Sequence, residues 1–400
     1  MLKSVDFTRK KSILNSILIN YLLTWSWLLD TKYFNASIQG HELSFYTKNN
    51  KAVNFKAFNR KLSPKKVVGF VNDISRDSLE LHLKKLTEPQ MEGRAVGSEG
   101  MNLAKDYISN QFKEIGLKPV KKLGLNTYLQ DYETEPYIPL LEEGSKVDGW
   151  VYSKNKGPKV QTSNILGMIK GSRYPNDYVI LTAHYDHLGK TAEGVLFPGA
   201  DDNASSVSAL IEIARGLKRT GTKRSVIFAA VSGEEKYRTG VLPLMSSIEK
   251  NKLKSNVEII DIEMLGAKKG DTLDILKYKP SLTNNMVENM KQACEIIGTK
   301  FHIGRPGPKV LNNAEKLSNF NFPAVCVAWD YKGKKTHPYY HTSLDTFENV
   351  NKDVFEKAAK SVAALSYFES NSRPVITKKY SSIISRIRNF FTPKTKSKIA

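Results

Sequence analysis

The stretch YVILTAHYDHLGKTAEGVLFPGADDN, residues 178–203, begins as a short apolar strand (YVILTA) and runs straight into His184-Tyr185-Asp186-His187. A loop follows and ends in Gly199-Ala200-Asp201-Asp202-Asn203. Then Val207, Leu210, Ile211, Ala214 and Leu217 recur at helical spacing. Working outward, Ser225–Val231 (SVIFAAV), Val257–Ile262 (VEIIDI) and Phe322–Trp329 (FPAVCVAW) are further apolar runs of strand length. Upstream, Leu79, Leu83 and Leu86 share one helical face. Ala104, Tyr107, Ile108, Phe112 and Ile115 share another, closed by Gly116 as a stop signal. Buried strands interleaved with helices predict an α/β domain: a mostly parallel twisted sheet sandwiched by helices.

Composition bounds the rest. Apolar residues at 40% and charged residues at 25% are ordinary for a globular protein and exclude a disordered or multi-span membrane chain. The two cysteines, Cys294 and Cys326, lie in apolar patterns and read as buried free thiols. The net charge of +21 sits at the ends: residues 1–72 carry +9 and residues 371–400 carry +8. The centre is near balance, so no nucleic-acid partner is expected. A basic flank followed by an uncharged apolar run over 12–29 makes residues 1–29 a signal peptide, a signal anchor or an amphipathic helix. The expected order is then a basic tether over 30–72, the α/β domain over 73–370 and a basic tail over 371–400. Such ends suit an anionic membrane surface and an exported protein, anchored or secreted, with a cytoplasmic membrane-associated form as the alternative.

The polar residues gather just after the strands. His184, Asp186 and His187 follow the first, Glu234 and Glu235 the second, and Glu263 the third. His341-Thr342-Ser343-Leu344-Asp345 comes after the fourth. The carboxyl ends of parallel strands share one sheet edge, where ligands bind, so these segments converge. Taken singly, Asp-Asp-Asn before a helix reads as a capping cluster and Glu-Glu after a strand as a solvated turn. Together, imidazoles and carboxylates without cysteine suit catalytic zinc. Asp202 can bridge two metals, Asp186 or Asp345 can orient a ligand imidazole, and one of the adjacent glutamates can act as a general base.

In order and spacing, AHYDHLG, GADDNAS, SGEE, IEMLG and YHTSLDT resemble the di-zinc exopeptidases of the bacterial leucyl and yeast vacuolar aminopeptidase kind. Glutamate carboxypeptidases and glutaminyl cyclases share that fold. MEGRAVGSEG and NTYLQDYE extend the resemblance upstream, so that it covers about 73–368. The resemblance implies two Zn2+ per chain: His184 and Glu263 complete one site, Glu235 and His341 the other, and Asp202 bridges them. It implies Glu234 as the base acting on a bridging water, Asp186 as partner of His184, and a cis peptide bond after Asp202. His187 falls outside this ligand set, and His302 and His337 read as structural or exposed.

Departures from the family pattern lie at Asp261-Ile262-Glu263, where an aspartate is usual and Asp261 is the fallback ligand. Others are KYRTGV after Glu235 and Asn312-Asn313-Ala314 before Phe322. The activity implied is a metal-dependent aminopeptidase acting on peptides with a free N-terminus. The alternatives are a glutaminyl cyclase-like acyltransferase, a carboxypeptidase, or a non-catalytic binding ectodomain of the same fold.

Overall fold

The computed structural model describes residues 33–35, 44–46, 52–54, 64–136, 139–141, 150–152, 158–278, 280–304, 312–330 and 335–372. The expected apolar helix over 1–29 and nearly all of the basic tail lie outside them. The chain divides into two units, Met1–Leu62 and Ser63–Ala400. In the first, Tyr33–Asn35, Ser44–Tyr46 and Ala52–Asn54 pair as a three-stranded antiparallel sheet, so the stretch expected as a tether carries strands.

The second unit starts ten residues before the expected boundary at 73. Helix α1, Pro64–Asn72, buries Val67, Phe70 and Val71. Two helices follow, α2 (Arg76–Leu86) and α3 (Glu99–Ile115). Ser98 caps α3 by accepting from the Met101 N–H at 3.0 Å, and Gly116 ends it at φ 79°. The stop is where the sequence pattern puts it.

Eight strands build the central sheet: β1 (Leu129–Thr134), β2 (Val160–Ile169), β3 (Tyr174–His184), β4 (Arg224–Val231), β5 (Val257–Ile262), β6 (Thr272–Lys277), β7 (Lys300–Gly304) and β8 (Ala324–Trp329). Their order is β7-β6-β8-β5-β3-β4-β2-β1. The central four, β8-β5-β3-β4, are parallel. Strands β2 and β6 run against their central neighbours. All eight residues of β4 are buried, which is why these strands read as unbroken apolar runs and not as alternating ones.

Helices α4 (Ser206–Thr220), α5 (Val241–Lys250), α6 (Pro280–Ile297), α7 (Asn313–Asn319) and α8 (Lys352–Asn371) complete the unit. Cys294 and Cys326 are buried and free, as expected. Among the described residues no helix is long and apolar enough to cross a membrane.

Candidate active site

Neighbouring parallel strands bring the polar segments together. β3 ends on His184, Glu234 and Glu235 follow β4, and Glu263 follows β5. Asp202 lies in a wide helical turn, Ala200–Ser205, ahead of α4, and the Asp202–Asn203 peptide bond is cis. Gly199 leads into this turn at φ 62°. A Cβ there would sit 2.4 Å from the His187 ring and from the Asp202 carbonyl, so no other residue fits. His341 arrives from the segment after β8, also with positive φ.

The two oxygens of Asp202 face two different groups. Oδ1 is 3.3 Å from His184 Nε2, which is itself 3.2 Å from Glu263 Oε2. Oδ2 is 3.1 Å from His341 Nε2, which is 3.1 Å from Glu235 Oε2. Atoms bound tetrahedrally to one zinc at 2.0–2.1 Å lie about 3.3 Å apart, so these spacings leave room for a cation between each pair. Ligand atoms of His184, Asp202 and Glu235 lie within 4.8 Å of one another. Glu263 Oε1 is buried without a hydrogen bond, a vacant acceptor. His184 Nδ1 donates to the Asp186 carbonyl at 3.1 Å, which turns the Nε2 lone pair towards the cluster. The donor set therefore fits a pair of divalent cations with Asp202 between them.

Electrostatics favours the same reading. Asp186, Asp202, Glu235 and Glu263 are buried and Glu234 is half-buried, against three histidines. Burial, with the Asp261 charge beside it, pushes Glu263 up to about 8. Burial likewise lifts Glu234, with Glu263, Glu235 and Asp186 as neighbouring charges, and moves Asp186 up to about 6. Burial opposes charging His341, yet Glu235 and Asp202 raise it to about 10. Burial also opposes ionising Asp202, but His184 and His341 hold it well below the ordinary carboxylate range. Such a concentration of buried negative charge is costly until cations offset it.

The supporting residues differ in part from the sequence reading. The carboxylate of Asp186 does not mainly serve His184, whose Nδ1 is 3.8 Å away. It accepts instead from the Glu234 and Glu235 N–H groups at 3.1 and 3.2 Å, fixing the glutamate pair while its backbone carbonyl orients the imidazole. Asp345 orients no ligand histidine. It accepts from the Asp201 and Asp202 N–H groups at 2.8 and 3.0 Å and so holds the loop that carries Asp202.

Asp261 turns away, accepting from the Thr182 hydroxyl and the Ala314 N–H, so it is not the fallback ligand. His187 is part of the site's support: its Nδ1 donates to Glu235 Oε1 at 2.9 Å. His337 pairs with Asp201 at 2.5 Å and reaches the Trp329 carbonyl at 3.1 Å. Asn203 donates to Glu263 Oε2 at 2.9 Å and accepts from the Met264 N–H, a role the sequence reading missed. His302 is exposed and pairs with Asp274, away from the cluster.

The profile of peptidase family M28 matches residues 164–366. The chain is 27% identical over 213 residues to the aminopeptidase YwaD of Bacillus subtilis, covering 52% of this chain and 45% of that protein. It thus spans less than half the length of the relatives it matches in sequence. The crystal structure of BSAP, a zinc aminopeptidase from Bacillus subtilis, superposes with a TM-score of 0.59 at 16% identity, over 76% of this chain and 97% of that one. A Bacteroides thetaiotaomicron glutaminyl cyclase bound to N-acetylhistamine superposes with a TM-score of 0.53 at 16% identity, over 74% and 98%. At these identities the structural likeness speaks for the fold alone. On the match over 164–366, the chain belongs to peptidase family M28.

Proposed function

We propose that this protein is a zinc-dependent aminopeptidase that hydrolyses the first peptide bond of substrates with a free N-terminus. The observation that carries the reading is Asp202 standing between two sets of ligands, His184 with Glu263 on one oxygen and His341 with Glu235 on the other. Two zinc ions held there would lower the pKa of a water and polarise the scissile carbonyl. Glu234 takes the proton from the attacking water and passes it to the leaving amine. Its raised pKa suits that exchange, and its loop is held still by Asp186. Tyr340, half exposed and stacked on His341 with ring centroids 3.7 Å apart, borders the site.

The test is hydrolysis of aminoacyl-arylamides and their N-blocked counterparts by metal-loaded, chelated and Glu234→Gln protein. Chelator-sensitive release from free N-termini only is the expected result. An N-terminal glutaminyl peptide belongs in the panel, because a cyclase shares the fold. Its cyclisation without arylamide hydrolysis would replace the aminopeptidase reading. We also propose that the basic ends attach the protein to an anionic membrane surface after export. Deleting residues 1–30 should release it into the soluble fraction, and a protein that stays membrane-bound without them would refute the N-terminal anchor.

A further inference from the structure

We infer that Arg94 is a positioning residue, holding the two ligand-bearing loops in binding register before any metal arrives. The inference rests on the metal-site reading above. Arg94 is 0% exposed, and its guanidinium spans three segments of backbone. Nε donates to the Tyr185 carbonyl at 2.8 Å, Nη1 to those of Leu86 at 2.6 Å and Pro198 at 2.7 Å, and Nη2 to that of Gly199 at 2.8 Å.

Tyr185 directly follows ligand His184, and Gly199 stands three residues before the bridging Asp202. One rigid planar fork therefore fixes the spacing between the loop that brings the first imidazole and the loop that brings the bridge. In return, the Arg94 carbonyl accepts from the His187 N–H at 3.3 Å, which ties down the imidazole behind Glu235.

The backbone is bent to deliver this side chain. Glu92, Gly93 and Arg94 have φ values of 47°, 60° and 54°, a left-handed run that two of the three residues adopt only at a cost. A Cβ on Gly93 would lie 2.3 Å from the Phe197 carbonyl, so the turn is pressed against the strand that leads into Pro198. Strain of this kind persists only where the surroundings impose it. Lysine cannot reproduce the arrangement, since a single ammonium is a point charge and not a fork with donors in fixed directions.

A purely structural arginine would lower stability and leave zinc affinity alone. Arg224 supplies that comparison. It is buried at the opposite end of β4 from the glutamate pair and bonds Glu258 and the Tyr178 carbonyl. The experiment measures zinc affinity by chelator competition for the full chain and for its Arg94→Lys and Arg224→Lys variants. The expected result is a 10- to 100-fold weaker affinity in Arg94→Lys, the usual cost of losing support behind metal ligands, and an unchanged affinity in Arg224→Lys. Arg94→Lys binding zinc as tightly as the unaltered protein overturns the inference and leaves the metal site standing. If the unaltered protein takes up no zinc, the metal-site reading fails and the inference falls with it.

A second measurement needs no variant. In metal-free protein, the amides of Tyr185, His187 and Ala200 should already be protected from hydrogen exchange. Protection that appears only when zinc is added would mean that the metal, and not Arg94, assembles the loops.

Discussion

Asp202 and Glu234 sit 32 residues apart in sequence, and their carboxyl groups have opposite tasks. Asp202 is held ionised between two imidazoles, as the proposed sharing by two cations requires. Glu234 is lifted by burial and by its carboxylate neighbours, and it is the residue proposed to accept the water's proton. Glu234→Gln should therefore cost about 10²–10⁴-fold in kcat while leaving zinc content unchanged, measured by steady-state kinetics beside elemental analysis. Equal loss of metal and of rate would move Glu234 into the ligand set. Asp186→Ala removes the acceptor for the Glu234 and Glu235 amides, and kcat should fall about 10- to 100-fold with KM nearly unchanged.

The residues the structure gathers into the acidic cluster were legible because His184, Glu235 and Glu263 come at or just after strand ends and Asp202 just before a helix, in a recurrent order. Their supporters were not. His337 meets Asp201 from 136 residues away, a pairing that no local spacing encodes. His187 was set aside for want of a place among the metal ligands, yet it serves Glu235 from behind. Asn203 looked like part of a capping cluster, whereas α4 begins without a side-chain cap and Asn203 instead braces Glu263.

Among the elements, strand identity was plain where β3, β4, β5 and β8 bury both faces as continuous apolar runs. Helix α3 was plain from its apolar face and its Gly116 stop. The tight helix start was less visible. A Cβ on Gly100, in the first turn of α3, would lie 1.9 Å from the Met91 carbonyl. Gly100→Ala should destabilise the protein markedly despite alanine's better helix propensity, which thermal unfolding will read directly. A rise in the melting temperature would show that the Met91 turn yields easily.

Glu369, on α8, gives a pH dependence remote from the site. Burial, with the Glu258 charge nearby, lifts it to about 8, although Arg224 opposes the shift. An ordinary glutamate titrates near about 4.3 in an unfolded chain, so the folded state binds the extra proton between those values. This group's contribution to stability is complete at low pH and is lost as pH rises towards 8. The melting temperature of Glu369→Gln, taken relative to the unaltered protein, should therefore climb between about pH 4.3 and 8. A difference that stays flat across that window would mean Glu369 ionises normally.

On the scale of the whole molecule, the charge distribution points to basic ends and a balanced centre, and the compact units divide the chain after Leu62, within the stretch expected as a tether. The expected boundary at 73 cuts off α1 because the helix opens on Lys65 and Lys66 and so looks like more of the basic stretch. Its apolar residues, Val67, Phe70 and Val71, nevertheless reach the core. A fragment starting at Ser63 should fold with nearly the full chain's thermal stability. One starting at Asp73 gives up three buried side chains and should lose roughly 5 kcal/mol or more. Equal melting temperatures for the two fragments would contradict the packing of α1.

The central claim is that Asp202 divides one acidic cluster into two metal sites. Anomalous diffraction at the zinc edge, from crystals of zinc-loaded protein, tests it most directly. The account predicts two peaks flanking Asp202, one beside His184 and Glu263 and the other beside His341 and Glu235. A single peak that leaves one of these pairs unliganded, or zinc bound elsewhere in the molecule, would contradict it.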